Sequence, residues 1–223
     1  MSHVIGVLQA SARSSKRSNC ERLLTRGVLP ALEAVGADVR VMRLVDYRFA
    51  PCLACESCHK TGVCVLDGRE GDDFDRFSAE LDELDALIVI APIYFGGPSA
   101  QFKALLDRFQ SPWSRRYMLG TNPAPAYIER RPLGLIAVGG GVDEFGFSAL
   151  ETCIHSAFRM VNLELIAHEG CIGYREESGP EGDAEHEEAA RAFAGWFADA
   201  LDSGELRDML ADAEASRPVG VKP

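Results

Sequence analysis

The sequence predicts an α/β protein built on a parallel five-stranded sheet, in spatial order 2-1-3-4-5, with helices on both faces. Short runs of branched apolar residues alternate with longer segments of helical period, the pattern of right-handed βαβ units. The run Ala86–Ala91 (ALIVIA) is apolar throughout, as a strand covered on both faces must be. Three unusual loops also follow strands 1, 3 and 4, the edge at which such sheets bind ligands.

The strands are read at His3–Leu8, Asp38–Leu44, Ala86–Ala91, Pro132–Val138 and Leu163–Ile172. Asn19–Val35 places Leu23, Leu24, Val28 and Leu32 on one helical face, with Pro30 expected to kink it. Ser99–Phe109 and Phe147–Val161 are the next helices. Ala184–Leu201 aligns Ala189, Phe193, Trp196, Phe197 and Ala200 along another. The acidic stretch Glu176–Glu188 reads as a solvated loop and helix start. No repeat or linker divides the chain, so residues 1–202 form one domain. Residues 203–223 are a polar C-terminal helix and tail, loosely held or serving as a subunit arm.

At 223 residues the chain is long enough to bury a substantial core. Its net charge of -11 argues against nucleic acid and anionic membranes as partners. It leaves room for a small anion held by a local cationic loop. Met1–Leu8 is too short, and too soon followed by the polar Ser11–Asn19, to read as a signal peptide. The longest apolar runs are of strand length. The expected location is therefore cytoplasmic, where clustered cysteines mean metal or redox chemistry more often than structural disulfides.

The first loop, Gln9–Cys20, opens a helix, where backbone N–H groups and the helix dipole favour phosphate. Ser11, Ser14, Ser15, Ser18 and Asn19 add donors, and Arg13, Lys16 and Arg17 add positive charge. Neither G-x-x-x-x-G-K-[ST] nor G-x-G-x-x-G is present, which excludes an ATP-type P-loop and a dinucleotide fingerprint here. The plainer alternative is a polar loop with an N-cap at Ser18. In the second loop, Pro92, Tyr94, Phe95 and Gly96-Gly97-Pro98 set aromatic rings on a stiff, bent segment suited to a heterocycle with polar edges. These aromatics would otherwise simply pack on the sheet, and Lys103 with Asp107 would be a surface pair. In the third, Gly139, Gly140 and Gly141 let backbone approach a ligand, or merely loosen the loop.

Seven cysteines are present, four of them in PCLACESCHKTGVC, residues 51–64, spaced C-x2-C-x2-C-x5-C. The first three wrap tightly enough for three corners of one compact cluster, and the fourth closes it. Structural zinc usually takes two knuckles with a longer spacer, so it fits this run less well. Ferredoxin-type [4Fe–4S] sites open with the same C-x2-C-x2-C run. Unmetallated thiols and a transient disulfide stay open as alternatives. Cys153 and Cys171 read as small buried hydrophobes.

The loops together resemble the NADPH-dependent FMN reductase branch of the flavodoxin-like superfamily, over roughly residues 3–200. The matching elements are S-x-R-x-x-x-x-S-N (Ser11, Arg13, Ser18, Asn19), P-I-Y-F-G (Pro92–Gly96), K-x-x-x-D-R (Lys103, Asp107, Arg108) and Gly139–Gly141. The chain departs from the pattern at Ala10, usually Gly, and at Cys20, often Thr. The resemblance implies a flavodoxin-like three-layer sandwich with FMN phosphate held by Ser11, Arg13, Ser18, Asn19 and Cys20. It places Pro92, Ile93, Tyr94, Phe95 and Gly96 at the ring or ribityl chain, and Gly139, Gly140 and Gly141 at the pyrimidine side. No catalytic acid or base is implied.

The cysteine segment is similar, spacing for spacing, to that of iron–sulfur flavoproteins, which implies a [4Fe–4S] cluster on Cys52, Cys55, Cys58 and Cys64. The implied activity is FMN-dependent oxidoreduction, with ferredoxin as donor to the cluster. Without a cluster, NAD(P)H would reduce FMN, a quinone or another small-molecule electron acceptor. A non-enzymatic flavodoxin-like carrier and a redox sensor are further alternatives. The resembled family also implies a homodimer or homotetramer.

Overall fold

The run that announced the fold, ALIVIA, forms the centre of the sheet. A computed structural model describes residues 3–13, 18–123, 129–141, 146–173 and 179–215. Its five parallel strands are β1 (Val4–Gln9), β2 (Asp38–Arg43), β3 (Ala86–Pro92), β4 (Arg131–Gly139) and β5 (Leu163–Ile172). They lie in the order β2-β1-β3-β4-β5, as the sequence predicts. Every residue of β3 is buried, and its side chains alternate between two cores. Ile88 and Ile90 face one, with Leu23, Val28 and Phe197; Leu87 and Val89 face the other, with Phe77, Phe102 and Phe158.

Helical segments α1 (Asn19–Leu23) and α2 (Leu29–Ala34) cover the first face together with α8 (Gly179–Ser203). A π-helical turn, Leu24–Val28, joins α1 to α2 immediately before Pro30. Pro30 has no N–H to donate to the Arg26 carbonyl. That carbonyl instead accepts from the Arg191 guanidinium of α8 at 2.7 Å. The kink expected from Pro30 is thus a π turn tied to the neighbouring helix. The final helix, α9 (Glu205–Ala215), buries Leu206 and Leu210, so this part of the C-terminal segment docks on the domain. Residues 216–223 lie outside the described set.

The second face carries α4 (Phe74–Asp82), α5 (Ala100–Arg108) and α7 (Ser148–Phe158). Two short helices, α3 (Ser57–Thr61) and α6 (Gln110–Tyr117), pack on each other beside it. Helices α3, α4 and α6 have no counterpart among the helices the sequence predicts. None of the described helices is long and apolar enough to cross a membrane.

At the opposite edge from the loops, β5 opens on a buried carboxylate, Glu164. Arg130 donates to it at 2.6 Å, the His155 ring lies 2.6 Å away and Arg159 Nε 3.2 Å. Burial pushes its pKa up, but the His155 hydrogen bond and the charges of Arg159 and Arg130 outweigh burial and hold it below its usual value. A depressed carboxyl stabilises the fold above its unfolded pKa and loses that contribution as pH falls through the folded value. Glu164→Gln should therefore destabilise the protein at neutral pH by about 3–5 kcal/mol, the cost of breaking a buried pair. Thermal melts of both proteins should converge as the pH drops below the ordinary carboxylate range. A gap constant with pH would contradict this account.

Candidate functional site

The carboxyl ends of β1, β3 and β4 lie at one edge of the sheet, because Gln9 is in register with Ile90 and Pro92 with Val138. The chain leaves β1 through a small hydrogen-bonded frame. Gln9 Oε1 accepts from the Ser11 N–H at 3.2 Å, and Ser11 Oγ accepts from the Arg13 N–H at 3.1 Å. Ser11 is buried and Arg13 exposed. Ser18 caps α1, its Oγ accepting from the Glu21 N–H at 3.5 Å, so the expected N-cap is there. Asn19 is the first helical residue. The Cys20 side chain is buried in the core, so the group this residue offers a phosphate is its backbone N–H. Ser14, Ser15, Lys16 and Arg17 lie outside the described residues.

The loop after β3 is a tight turn. Tyr94 and Gly97 exchange two backbone hydrogen bonds, of 2.9 and 3.1 Å, around Phe95 and Gly96. Their φ angles of 52° and 78° are both left-handed, the requirement of a type I′ turn. Gly96 meets it freely, whereas Phe95 is strained by about 1–2 kcal/mol. The Phe95 ring is also fully exposed, so it does not pack on the sheet, and Tyr94 is 43% exposed. The turn is fixed from both sides: Ile93 N–H donates to the Val138 carbonyl at 2.8 Å, and Leu150 N–H, in the first turn of α7, to the Gly96 carbonyl at 3.0 Å.

Gly139 ends β4 against Ile93; a Cβ there would stand 3.2 Å from Ile93 Cδ1. A Cβ on Gly141 would meet nothing within 4 Å, and Gly140 is exposed. Close approach within the chain thus explains glycine at 139 but not at 141. Residues 142–145 lie outside the described set.

The described parts of these three loops form a rim with buried hydroxyl and backbone donors at one end and an unpacked aromatic turn at the other. FMN fits it: the donors suit a phosphate and the exposed ring suits a flat heterocycle. Phe95→Asn tests that division of labour. Asparagine tolerates left-handed φ, so the variant should be more stable by about 1 kcal/mol. Its FMN affinity should fall, read by flavin fluorescence titration; unchanged affinity would free Phe95 from the flavin site.

Beside the rim, the segment after β2 carries Cys52, Cys55, Cys58 and Cys64. All four line one small hollow, along with Arg108 and Ser111 of the α5–α6 region. Ala54 and Glu56, on either side of Cys55, have left-handed φ of 50° and 57°. The chain then turns through α3 onto α6, where Ser114 Oγ donates to Cys58 Sγ at 3.4 Å. Ser111 and Arg115 both donate to the Gly62 carbonyl, at 3.0 and 2.8 Å. All seven cysteines are free thiols. Among the described residues no three His, Cys, Asp or Glu side chains stand close enough together to hold a single metal ion.

Between rim and hollow opens a cavity of about 720 Å³, bounded by Ala12 of the first loop, Tyr47, Phe49 and Pro51 of the second strand's loop, and Ala100 and Gln101 of α5. The sequence gives no sign of this cavity and marks Gln9 only as the start of the first loop, without the framing role it has here. A polar residue ending an apolar strand was the available signal for Gln9. Lys103 and Asp107 form the exposed surface pair that the alternative reading expects.

A flavodoxin-like sheet with FMN-type loops at its carboxyl edge defines an FMN-dependent oxidoreductase. The chain belongs to the NADPH-dependent FMN reductase family, whose sequence model matches residues 4–163. An iron–sulfur flavoprotein of Methanocaldococcus jannaschii is 30% identical over 162 residues, 70% of this chain and 77% of that protein. One from Methanosarcina thermophila is 35% identical over 98 residues, 44% of this chain and 49% of that protein. This chain thus aligns with only about half the length of the second relative. Among solved structures, an NAD(P)H:quinone oxidoreductase from Methanothermobacter marburgensis superposes with a TM-score of 0.64 at 16% identity, covering 88% of this chain and 96% of that one. RosB with a bound riboflavin-phosphate intermediate gives 0.63 at 18% identity, covering 100% and 90%. At these identities the two structures share the fold.

Proposed function

We propose that this flavoprotein holds a [4Fe–4S] cluster on Cys52, Cys55, Cys58 and Cys64, and that cluster and FMN together link a one-electron donor such as ferredoxin to a small-molecule acceptor. One observation carries the reading: four thiols in C-x2-C-x2-C-x5-C spacing, on the segment that follows β2, line a single hollow against the end of α5 and the start of α6. A lone zinc draws its sulfurs to about 2.3 Å from one point. A cluster gives each cysteine its own iron, so thiols that share a hollow without converging suit it better. The relatives named iron–sulfur flavoproteins support the same assignment.

Bound flavin supplies the redox chemistry. The chain's part is to anchor phosphate at Ser11, Arg13, Ser18, Asn19 and Cys20, and to flank the ring with Pro92–Gly96 and Gly139–Gly141. We assign no catalytic acid or base. Exposed Leu53, Val63, Val65, Met118 and Leu119 leave apolar surface near the cysteine loop, which supports a homodimer or homotetramer. A cytoplasmic location, where thiols stay reduced, completes the proposal.

A second reading, an NAD(P)H-dependent FMN or quinone reductase with no cluster, is favoured by the 720 Å³ cavity, which has room for a flat acceptor. A non-enzymatic carrier makes no use of that space. The donor separates the readings. Under anaerobic conditions, reduced ferredoxin should bleach the bound flavin faster than NADPH does. Rapid bleaching by NADPH with none by ferredoxin would favour the second reading.

A further inference from the structure

Arg108, the last residue of α5, is buried to the tip of its side chain. A guanidinium is almost never so buried unless it is paired. Nη2 donates to Asp67 Oδ1 at 2.9 Å; Nη1 donates to Asp72 Oδ2 at 2.6 Å and to the Ala50 carbonyl at 3.3 Å. The guanidinium carbon stands 4.7 Å from the centre of the Phe74 ring. Both carboxylates reach back to the cysteine segment. Asp67 Oδ2 accepts from the Cys64 N–H at 3.1 Å, and Asp72 Oδ2 from the Ala50 N–H at 2.9 Å.

Ala50 stands two residues before the first cysteine of the set, and Cys64 is its last. One guanidinium therefore holds both ends of the segment through two carboxylates. Arg108 also lines the hollow with the four thiols, and its Nε–H is buried with no hydrogen-bond partner among the described residues. Stability alone does not call for this arrangement, because a well-packed apolar replacement for a buried ion pair is often as stable. What a guanidinium adds is a planar fork that fixes two carboxylates at once, and a permanent positive charge.

We propose that Arg108 is the positioning residue of the cysteine site: it clamps both ends of the segment so that the four thiols share one hollow, and it presents its cation and Nε–H to the thiolate cluster bound there. The part concerning the cluster rests on the proposed function; the clamp does not. Its partners Ala50, Asp67 and Asp72 lie outside the three candidate flavin loops, which makes it separable from flavin binding.

The test compares wild type with Arg108→Lys, Arg108→Gln and Arg108→Gln/Asp72→Asn, the last sparing the fold an uncompensated buried carboxylate. Each is purified anaerobically as the full chain. Iron, sulfide and FMN are measured, with the electron paramagnetic resonance and midpoint potential of the reduced centre. The thiols of iron-free protein are labelled with a disulfide reagent. Iron affinity should drop by about 10–100-fold in both glutamine variants, the usual cost of losing an outer-shell partner, with FMN content unchanged. Any centre they retain should have a more negative potential, since a cation that favours the reduced form is gone. Lysine should restore most of the potential but only part of the iron affinity. Thiols should label faster in both glutamine variants than in wild type. A double variant that melts like wild type and keeps its iron affinity, potential and labelling rate would overturn the proposal. If wild type itself takes up no iron, the cluster reading fails, and the labelling rates alone then judge the clamp: equal rates overturn it.

Discussion

Replacing Cys58 with alanine should strip iron from the protein while leaving its flavin in place. Cys58 sits in α3, half-buried against α6, where Ser114 donates to its sulfur. Alanine is the best helix former, so the short helix should persist and the lost hydroxyl–thiol contact should cost little stability. Removal of a direct ligand should cost at least the roughly 10–100-fold in metal affinity that an outer-shell change does. Cys153→Ala supplies the control, since Cys153 lies in α7 away from the hollow and should leave iron untouched. Cys20 and Cys171 need no test as ligands: both are buried in the core on the face covered by α1 and α8, and neither lines the hollow. Full iron content in Cys58→Ala would show that the ligand set is wrong.

Ser11→Asp should abolish useful FMN binding without unravelling the loop. The Ser11 hydroxyl accepts from the Arg13 N–H and sits buried at the end of β1. Aspartate keeps an acceptor for that N–H but sets a negative charge where the phosphate is to lie. At an effective dielectric near 20, two unit charges about 4 Å apart repel by roughly 4 kcal/mol, on the order of a thousandfold in affinity. Ser11→Asn retains an acceptor without the charge and should lose far less. Similar losses in both variants would mean that the hydroxyl frame matters more than charge, and would weaken the phosphate assignment.

The fold was legible because its signals are local. Each strand run reads directly, and all five observed strands begin and end within about one residue of the expected positions. Helix α4 could have been found, since its buried Phe74, Phe77 and Leu81 keep helical spacing amid charged residues. Helix α6 could not: it buries Ser111, Ser114 and Arg116, and polar contacts with α3 and the β5 turn replace an apolar stripe. The three candidate loops stood out in the sequence for a related reason, as each follows its strand at once and carries residue types that loops use sparingly. What escaped was long-range. Asp67 and Asp72 belong to the charged stretch DGREGDD, which has no apolar period to mark it, yet they meet Arg108, 41 and 36 positions away. The large cavity likewise draws its walls from four segments that are apart in sequence.

The most direct measurement is the composition of the protein purified without oxygen. Its visible spectrum should show flavin bands over a broad iron–sulfur absorption, with about one FMN and about four irons and four sulfides per chain. Flavin without iron or sulfide, after an attempt at cluster reconstitution, would contradict the [4Fe–4S] assignment and leave the NAD(P)H-linked reductase.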